Sequence, residues 1–163
     1  MDPRAAAGNG FENDDKVSFR KFEPKLAHLF DIKTGKNTTF FDPQQEKGPS
    51  LVHFWATWCT ACVQELPALI QFAKERSWIK VILISMDETV EAPKKFLDTR
   101  NLPGQVEYLF DPGRNLAFHW GTRYFPETHL MDKGQVFMQL LGSQAWTPEL
   151  AKRVESKMSQ PSL

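Results

Sequence analysis

Two rhythms alternate along the chain: short, nearly continuous apolar runs, and stretches whose apolar residues return every three or four positions. The first predicts buried strands and the second amphipathic helices. Leu51-Val52-His53-Phe54-Trp55-Ala56, bounded upstream by Pro49, has one polar position and suits a strand covered on both faces. Lys80 to Met86 repeats that pattern. Between them, from Cys59 to about Arg76, Val63, Leu66, Ile70 and Ala73 mark the stripe of a helix that Pro67 is expected to bend. A second helix is expected to start at Pro93, a residue favoured at the first helical position, and to run through Lys94-Lys95-Phe96-Leu97 toward Asn101. Strand, helix, strand, helix implies parallel pairing.

The flanks read differently. Leu26 to Asp31 and Thr38 to Phe41 surround a turn at Lys33 to Asn37, a hairpin pattern by its glycine and β-prone arms, and Asp42 to Pro49 is a loop. Gln105 to Phe110 adds a short strand, and Arg114 to His119 a helical turn after the Asp111-Pro112-Gly113 bend. Glu127 to Met131 and Gln135 to Leu141 flank Asp132-Lys133-Gly134 as an antiparallel pair. Thr147-Pro148 caps a closing helix with Leu150, Val154 and Met158 on one face. The whole is α/β, a mixed central sheet flanked by helices, beginning β-α-β and ending β-β-α. Residues 1 to 15 are small, polar and acidic and read as a flexible N-terminal segment or trimmed linker, leaving one domain over residues 16–163.

Composition narrows the function. A chain of 163 residues buries a core without covalent staples. Twenty basic and twenty acidic side chains cancel, so no long-range field draws it to nucleic acid or an anionic bilayer. No apolar stretch reaches the length of a membrane span.

The only two cysteines, Cys59 and Cys62, stand at i and i+3 in a first helical turn, directly behind a strand. Their sulfurs are close enough to bond, yet the ring so closed is too small to restrain much unfolded-chain entropy. At a helix N-terminus, unpaired N–H groups and the macrodipole favour a thiolate on Cys59, which makes it the attacking sulfur and Cys62 the resolving one. Two plainer readings compete: half a zinc site, for which only four scattered histidines remain, and two inert buried thiols.

The surrounding letters favour chemistry. Phe54-Trp55-Ala56-Thr57-Trp58-Cys59-Thr60-Ala61-Cys62, with Pro67 downstream, and Gly121-Thr122-Arg123-Tyr124-Phe125-Pro126-Glu127-Thr128-His129-Leu130-Met131-Asp132 resemble the active-site helix and cis-proline loop of the thioredoxin superfamily. The likeness is to its TlpA/ResA-like branch and the CcmG/DsbE-like proteins of cytochrome c maturation, over residues 25 to 158. It implies a thioredoxin-like fold with an N-terminal β-hairpin extension, a cis bond before Pro126, and a protein-disulfide reductase working through the Cys59–Cys62 disulfide, with no other cofactor and no metal. It further implies cysteine-containing protein substrates, apocytochrome c among them, a membrane thiol electron donor, and a periplasmic or extracytoplasmic place, tethered in the full-length protein.

Trp58, Thr60, Ala61, Phe125 and Pro126 are the expected substrate contacts, and the bulk of Phe125 is expected to narrow access. Trp55 is expected in the core. Glu65, one turn beyond Cys62, coincides with the acidic residue of TlpA-like proteins and is the candidate base for Cys62, against the plainer reading of a solvated helix face. Glu127 matches the acidic residue after the proline and is expected to tune redox poise, against a sheet-end charge facing water. His53 stands where relatives carry aspartate or asparagine. It suits a proton relay, but a buried neutral imidazole bonded to backbone is the plainer reading, and H53N is expected to leave exchange intact. His119 and His129 show no evident partner. A rival function is a Cu(I)-binding thioredoxin-fold metallochaperone, needing one of these two histidines over the cysteines. Peroxide reduction is weaker still, since peroxidase-type signatures are missing.

Overall fold

The computed structural model describes residues 28–38, 48–133 and 135–159. The expected flexible segment at residues 1–15, the outer parts of the first hairpin and most of the loop before Pro49 lie outside the described residues.

The described strands form one sheet in the order β2-β1-β5-β4-β3-β6-β7. These are β1 (Leu29–Asp31), β2 (Asn37–Thr38), β3 (Ser50–Trp55), β4 (Lys80–Ser85), β5 (Val106–Phe110), β6 (Glu127–Asp132) and β7 (Gln135–Leu141). The helices are α1 (Thr60–Glu75), α2 (Glu91–Asp98), α3 (Asn115–His119) and α4 (Pro148–Ser156). β3, β4 and β5 run parallel, and β6 joins β3 antiparallel and carries β7 as a hairpin. The mixed α/β sheet is the one the sequence predicts.

β3 lies at the centre of the pairing, and all six of its residues are buried. That burial explains its near-continuous apolar letters. The first hairpin forms and docks on β5 through β1. Its turn is held by the Asp31 carboxylate, which accepts from the backbone N–H of Lys33 and Thr34, and by Gly35 at a positive φ of 70°.

Two helical details differ from the periodicity. α1 buries Cys62, Glu65, Leu66, Leu69, Phe72 and Ala73, so Val63 and Ile70 fall on the margin of the face rather than at its centre. A carboxyl group and a disulfide-bonded cysteine occupy two positions of the buried stripe, and an apolar count passes over both. The helix continues without interruption through Pro67. α2 starts at Glu91, placing Pro93 two residues inside, and ends at Asp98 rather than Asn101. The first four N–H groups of a helix have no intrahelical partner, so proline costs no hydrogen bond there. α4 starts as expected, with Thr147 accepting from Leu150 N–H at 3.3 Å and Pro148 in the first turn.

Candidate active site

Where β3 ends, the backbone passes through Thr57 and Trp58 and enters α1 at Cys59. The N–H and hydroxyl of Thr57 both donate to the buried carboxylate of Asp87, the hydroxyl at 2.6 Å, and Ser85 donates to the same carboxylate at 2.7 Å. This clamp between the ends of β3 and β4 fixes the loop that presents the cysteines. No sequence motif announced Asp87.

Cys59 is the N-cap of α1, extended at φ −88° and ψ 103°, and its Sγ accepts the Cys62 N–H at 3.2 Å. The two are joined as a disulfide across a Cα–Cα distance of 5.2 Å. Cys62 is fully enclosed while Cys59 keeps a sliver of accessible surface, so the outer sulfur is the one a partner can reach. The first turn of α1 holds no acidic side chain to oppose the helix dipole.

Around the outer sulfur the rim is aromatic. Trp58 is 57% exposed, and its ring meets that of Phe125 edge-on with centroids 6.0 Å apart. The bond between Phe125 and Pro126 is cis, as the resemblance implies. This contact brings the proline loop beside the cysteine motif, while Thr60 is exposed and Ala61 half-buried between the sulfurs. Trp55 is wholly buried against Phe96. Arg114, which the sequence reading passed over, lies 5.7 Å from the Trp58 ring and 6.0 Å from that of Phe125. Its backbone is left-handed, at φ 57°, and its Nε donates to the Met86 carbonyl at 3.0 Å, which aims the guanidinium across the rim.

Under α1 lies a buried polar pair. Glu65 is almost fully enclosed and not on a solvated face. Its Oε1 accepts from the Trp146 indole at 2.7 Å and from Gln144 N–H at 3.2 Å. Burial pushes its pKa up from 4.5 to about 7, against the pull of those two hydrogen bonds. Its Oε2 stands 3.8 Å from Nε2 of His53. The imidazole is buried as expected, but its partner is the Thr128 hydroxyl, 2.7 Å from Nδ1, and not backbone. Burial, with a smaller contribution from the charge of His129, pushes His53 down to about 3, so the ring is neutral at physiological pH.

Glu127 is buried too, which corrects the reading of a sheet-end charge facing water. Register places it beside Phe54, on the sheet face opposite His53 and Thr128. There it pairs with His129 Nε2 at 2.8 Å and accepts from Thr122 and Gln139. His129 therefore has a partner, and its ring also stacks edge-on with Phe54 and Trp120. His119 lies near the buried carboxyl of Asp111, which is raised by burial and pulled back by backbone N–H groups and by His119. The two candidate carboxylates thus lie on different faces of the sheet.

A disulfide that closes one helical turn holds little of the fold together. With its outer sulfur at a helix N-terminus on this sheet, and with the relatives that follow, it defines a thiol-disulfide oxidoreductase of thioredoxin-like fold. The chain belongs to the AhpC/TSA family, whose profile matches residues 24–138. It is 34% identical over 141 residues to the thiol:disulfide interchange protein DsbE of Haemophilus influenzae, covering 83% of this chain and 72% of that one. It is 32% identical over 138 residues to the thiol-disulfide oxidoreductase ResA of Bacillus anthracis, covering 82% and 76%. Among solved structures it is similar to a secreted Mycobacterium tuberculosis disulfide oxidoreductase described as homologous to DsbE of E. coli. That likeness has a TM-score of 0.65 and 21% identity, covering 81% of this chain and 96% of that one.

Proposed function

We propose that the protein reduces disulfides in partner proteins outside the cytoplasm, with Cys59 as nucleophile, Cys62 as resolving thiol and Glu65 as the acid–base group serving Cys62. The supporting observation is a buried carboxyl one turn from the enclosed cysteine, held near neutrality by its surroundings. The reduced Cys59 thiolate attacks a substrate disulfide, forming a mixed disulfide and expelling one substrate thiolate. Glu65 takes the proton of Cys62, whose thiolate attacks Cys59 Sγ and expels the second. Two electrons pass to the substrate, and the dithiol closes to the disulfide seen here. When a donor dithiol recharges the protein, the steps reverse and Glu65 returns a proton to the departing Cys62 thiolate.

The aromatic rim of Trp58 and Phe125, with Thr60, Ala61 and Pro126, suits an extended apolar segment, and an apocytochrome c carrying an oxidised cysteine pair is one substrate of that kind. The names of the DsbE and ResA relatives support exchange between proteins, and the secreted M. tuberculosis neighbour supports a place outside the cytoplasm. A membrane thiol donor and a tether in the full-length protein complete the proposal. Glu127 and His129, next along the chain from the proline loop, are proposed to tune the potential.

The test is trapping. C62S is expected to accumulate a mixed disulfide on Cys59, and C59S to accumulate none. Capture through Cys62 in the reciprocal variant overturns the assignment of the nucleophile. A reduction potential near about −270 mV supports a reductant, and one near about −120 mV an oxidant.

A further inference from the structure

His53 Nε2 and Glu65 Oε2 are both shut off from solvent, and neither has a hydrogen-bond partner. They face each other at 3.8 Å. A buried polar atom left alone has lost its water with nothing in return, and two such atoms facing one another are one unmade bond. A shift of roughly 1 Å brings them to hydrogen-bond distance.

The remaining atoms of both residues decide which way that bond points. Glu65 Oε1 already accepts two N–H donors, from Trp146 and Gln144. A protonated Glu65 therefore keeps Oε1 as its carbonyl and carries the hydrogen on Oε2. The polar atom in front of that hydrogen is His53 Nε2, which must then offer a lone pair. A neutral imidazole has one N–H, so the hydrogen sits on Nδ1 and is donated to Thr128 Oγ1, which can accept it.

We propose that His53 is a positioning residue: its Nε2 accepts the acid hydrogen of Glu65, in a directed chain Glu65 Oε2–H to His53 Nε2, then His53 Nδ1–H to Thr128 Oγ1, that holds the proton ready for Cys62. The inference rests on the acid–base reading of Glu65 and adds to burial a hydrogen-bond acceptor that favours the protonated carboxyl in the oxidised protein. No proton is gained or lost by the ring when Cys62 opens. Glu65 alone gives up its hydrogen, and the Cys62 thiolate receives it. The raised pKa of Glu65 agrees with this arrangement.

The ionisable and polar groups around the pair are few. Cys62 lies one turn before Glu65 on α1, Thr128 faces from β6, and Trp146 and Gln144 face from the segment before α4. His129, on the far side of the sheet, acts on His53 through its charge. β4 presents Leu83 at the paired position.

The test is ¹⁵N NMR of the oxidised protein labelled at histidine, with the Glu65 carboxyl followed by ¹³C shift. Below the Glu65 midpoint, His53 is expected to carry its hydrogen on Nδ1 and a bare Nε2. In E65Q the amide N–H replaces the acid hydrogen as donor, so the same tautomer is expected at every pH. H53Q, which can offer an N–H to the carboxylate instead, is expected to lower the Glu65 midpoint by about one unit, a tenfold change in its proton affinity. An Nε2–H tautomer or an imidazolium below the midpoint overturns the chain, as does an unmoved or raised midpoint in folded H53Q. Because these signals need no turnover, they stand apart from the acid–base reading, which fails if E65Q leaves the pH profile of exchange unchanged.

Discussion

Asp87 carries more of the site than its place outside every motif suggests. Its carboxylate receives three hydrogen bonds from Thr57 and one from Ser85, and no lysine or arginine is bonded to it among the described residues. Removing such an acceptor leaves the Thr57 N–H and two hydroxyls to find others in a buried corner, at about 2–3 kcal/mol in total. D87A is therefore expected to lower the urea midpoint of the oxidised protein and to increase exchange of the Thr57 amide. Unchanged stability and amide protection would show that the clamp holds nothing. Trp58 gives a second residue-level prediction. It is the exposed indole beside the disulfide, whereas Trp55 is sealed in the core. The fluorescence change on reduction is expected to come from Trp58, to vanish in W58F and to persist in W120F.

At the level of elements, α1 and β3 meet through two titratable groups shifted in opposite senses. Glu65 rises from 4.5 to about 7, so its contribution to stability is full below 4.5 and is lost as pH rises through about 7. His53 falls from 6.5 to about 3, so its contribution is full above 6.5 and is lost as pH falls through about 3. Between 4.5 and 6.5 the folded and unfolded pairs bind the same number of protons, and the two slopes cancel. The oxidised protein is expected to show a flat stability profile across that window, a fall in acid, and a smaller fall just above it. In E65Q the flat window is expected to give way to stability that rises with pH through it and the fall from 6.5 to about 7 to disappear, leaving the variant more stable than the parent in mild alkali by on the order of 3 kcal/mol. Urea titrations at a series of pH values read both profiles, and a slope inside the window with none outside it would contradict the pair.

For the whole molecule, strands and helices were legible in order and nearly in extent, because β3 and β4 are buried on both sides and spell that burial in their letters. The face of α1 was legible only in part. Cys62 and Glu65 occupy its centre, one joined in a disulfide and the other held by hydrogen bonds, rather than buried for apolarity. The cysteines and the cis-proline loop stood out because each is a contiguous string with a known resemblance. Their supports did not. Thr128 lies 75 positions from His53, and Trp146 lies 81 from Glu65. No local pattern encodes a bond closed over such a span. His129 and Glu127 are two apart on one strand and so share a face, an adjacency that alternation alone could have suggested.

The indole and amide that hold Glu65 come from the segment just before α4, about eighty positions further along the chain. A polypeptide still being made presents its cysteines long before that segment exists, with Glu65 wetted and ordinary beside them. Only when that segment folds back does the carboxyl leave water. A chain truncated ahead of Gln144 is therefore expected to keep Cys59, Cys62 and Glu65 but to leave the carboxyl in water, without the indole and amide that hold it.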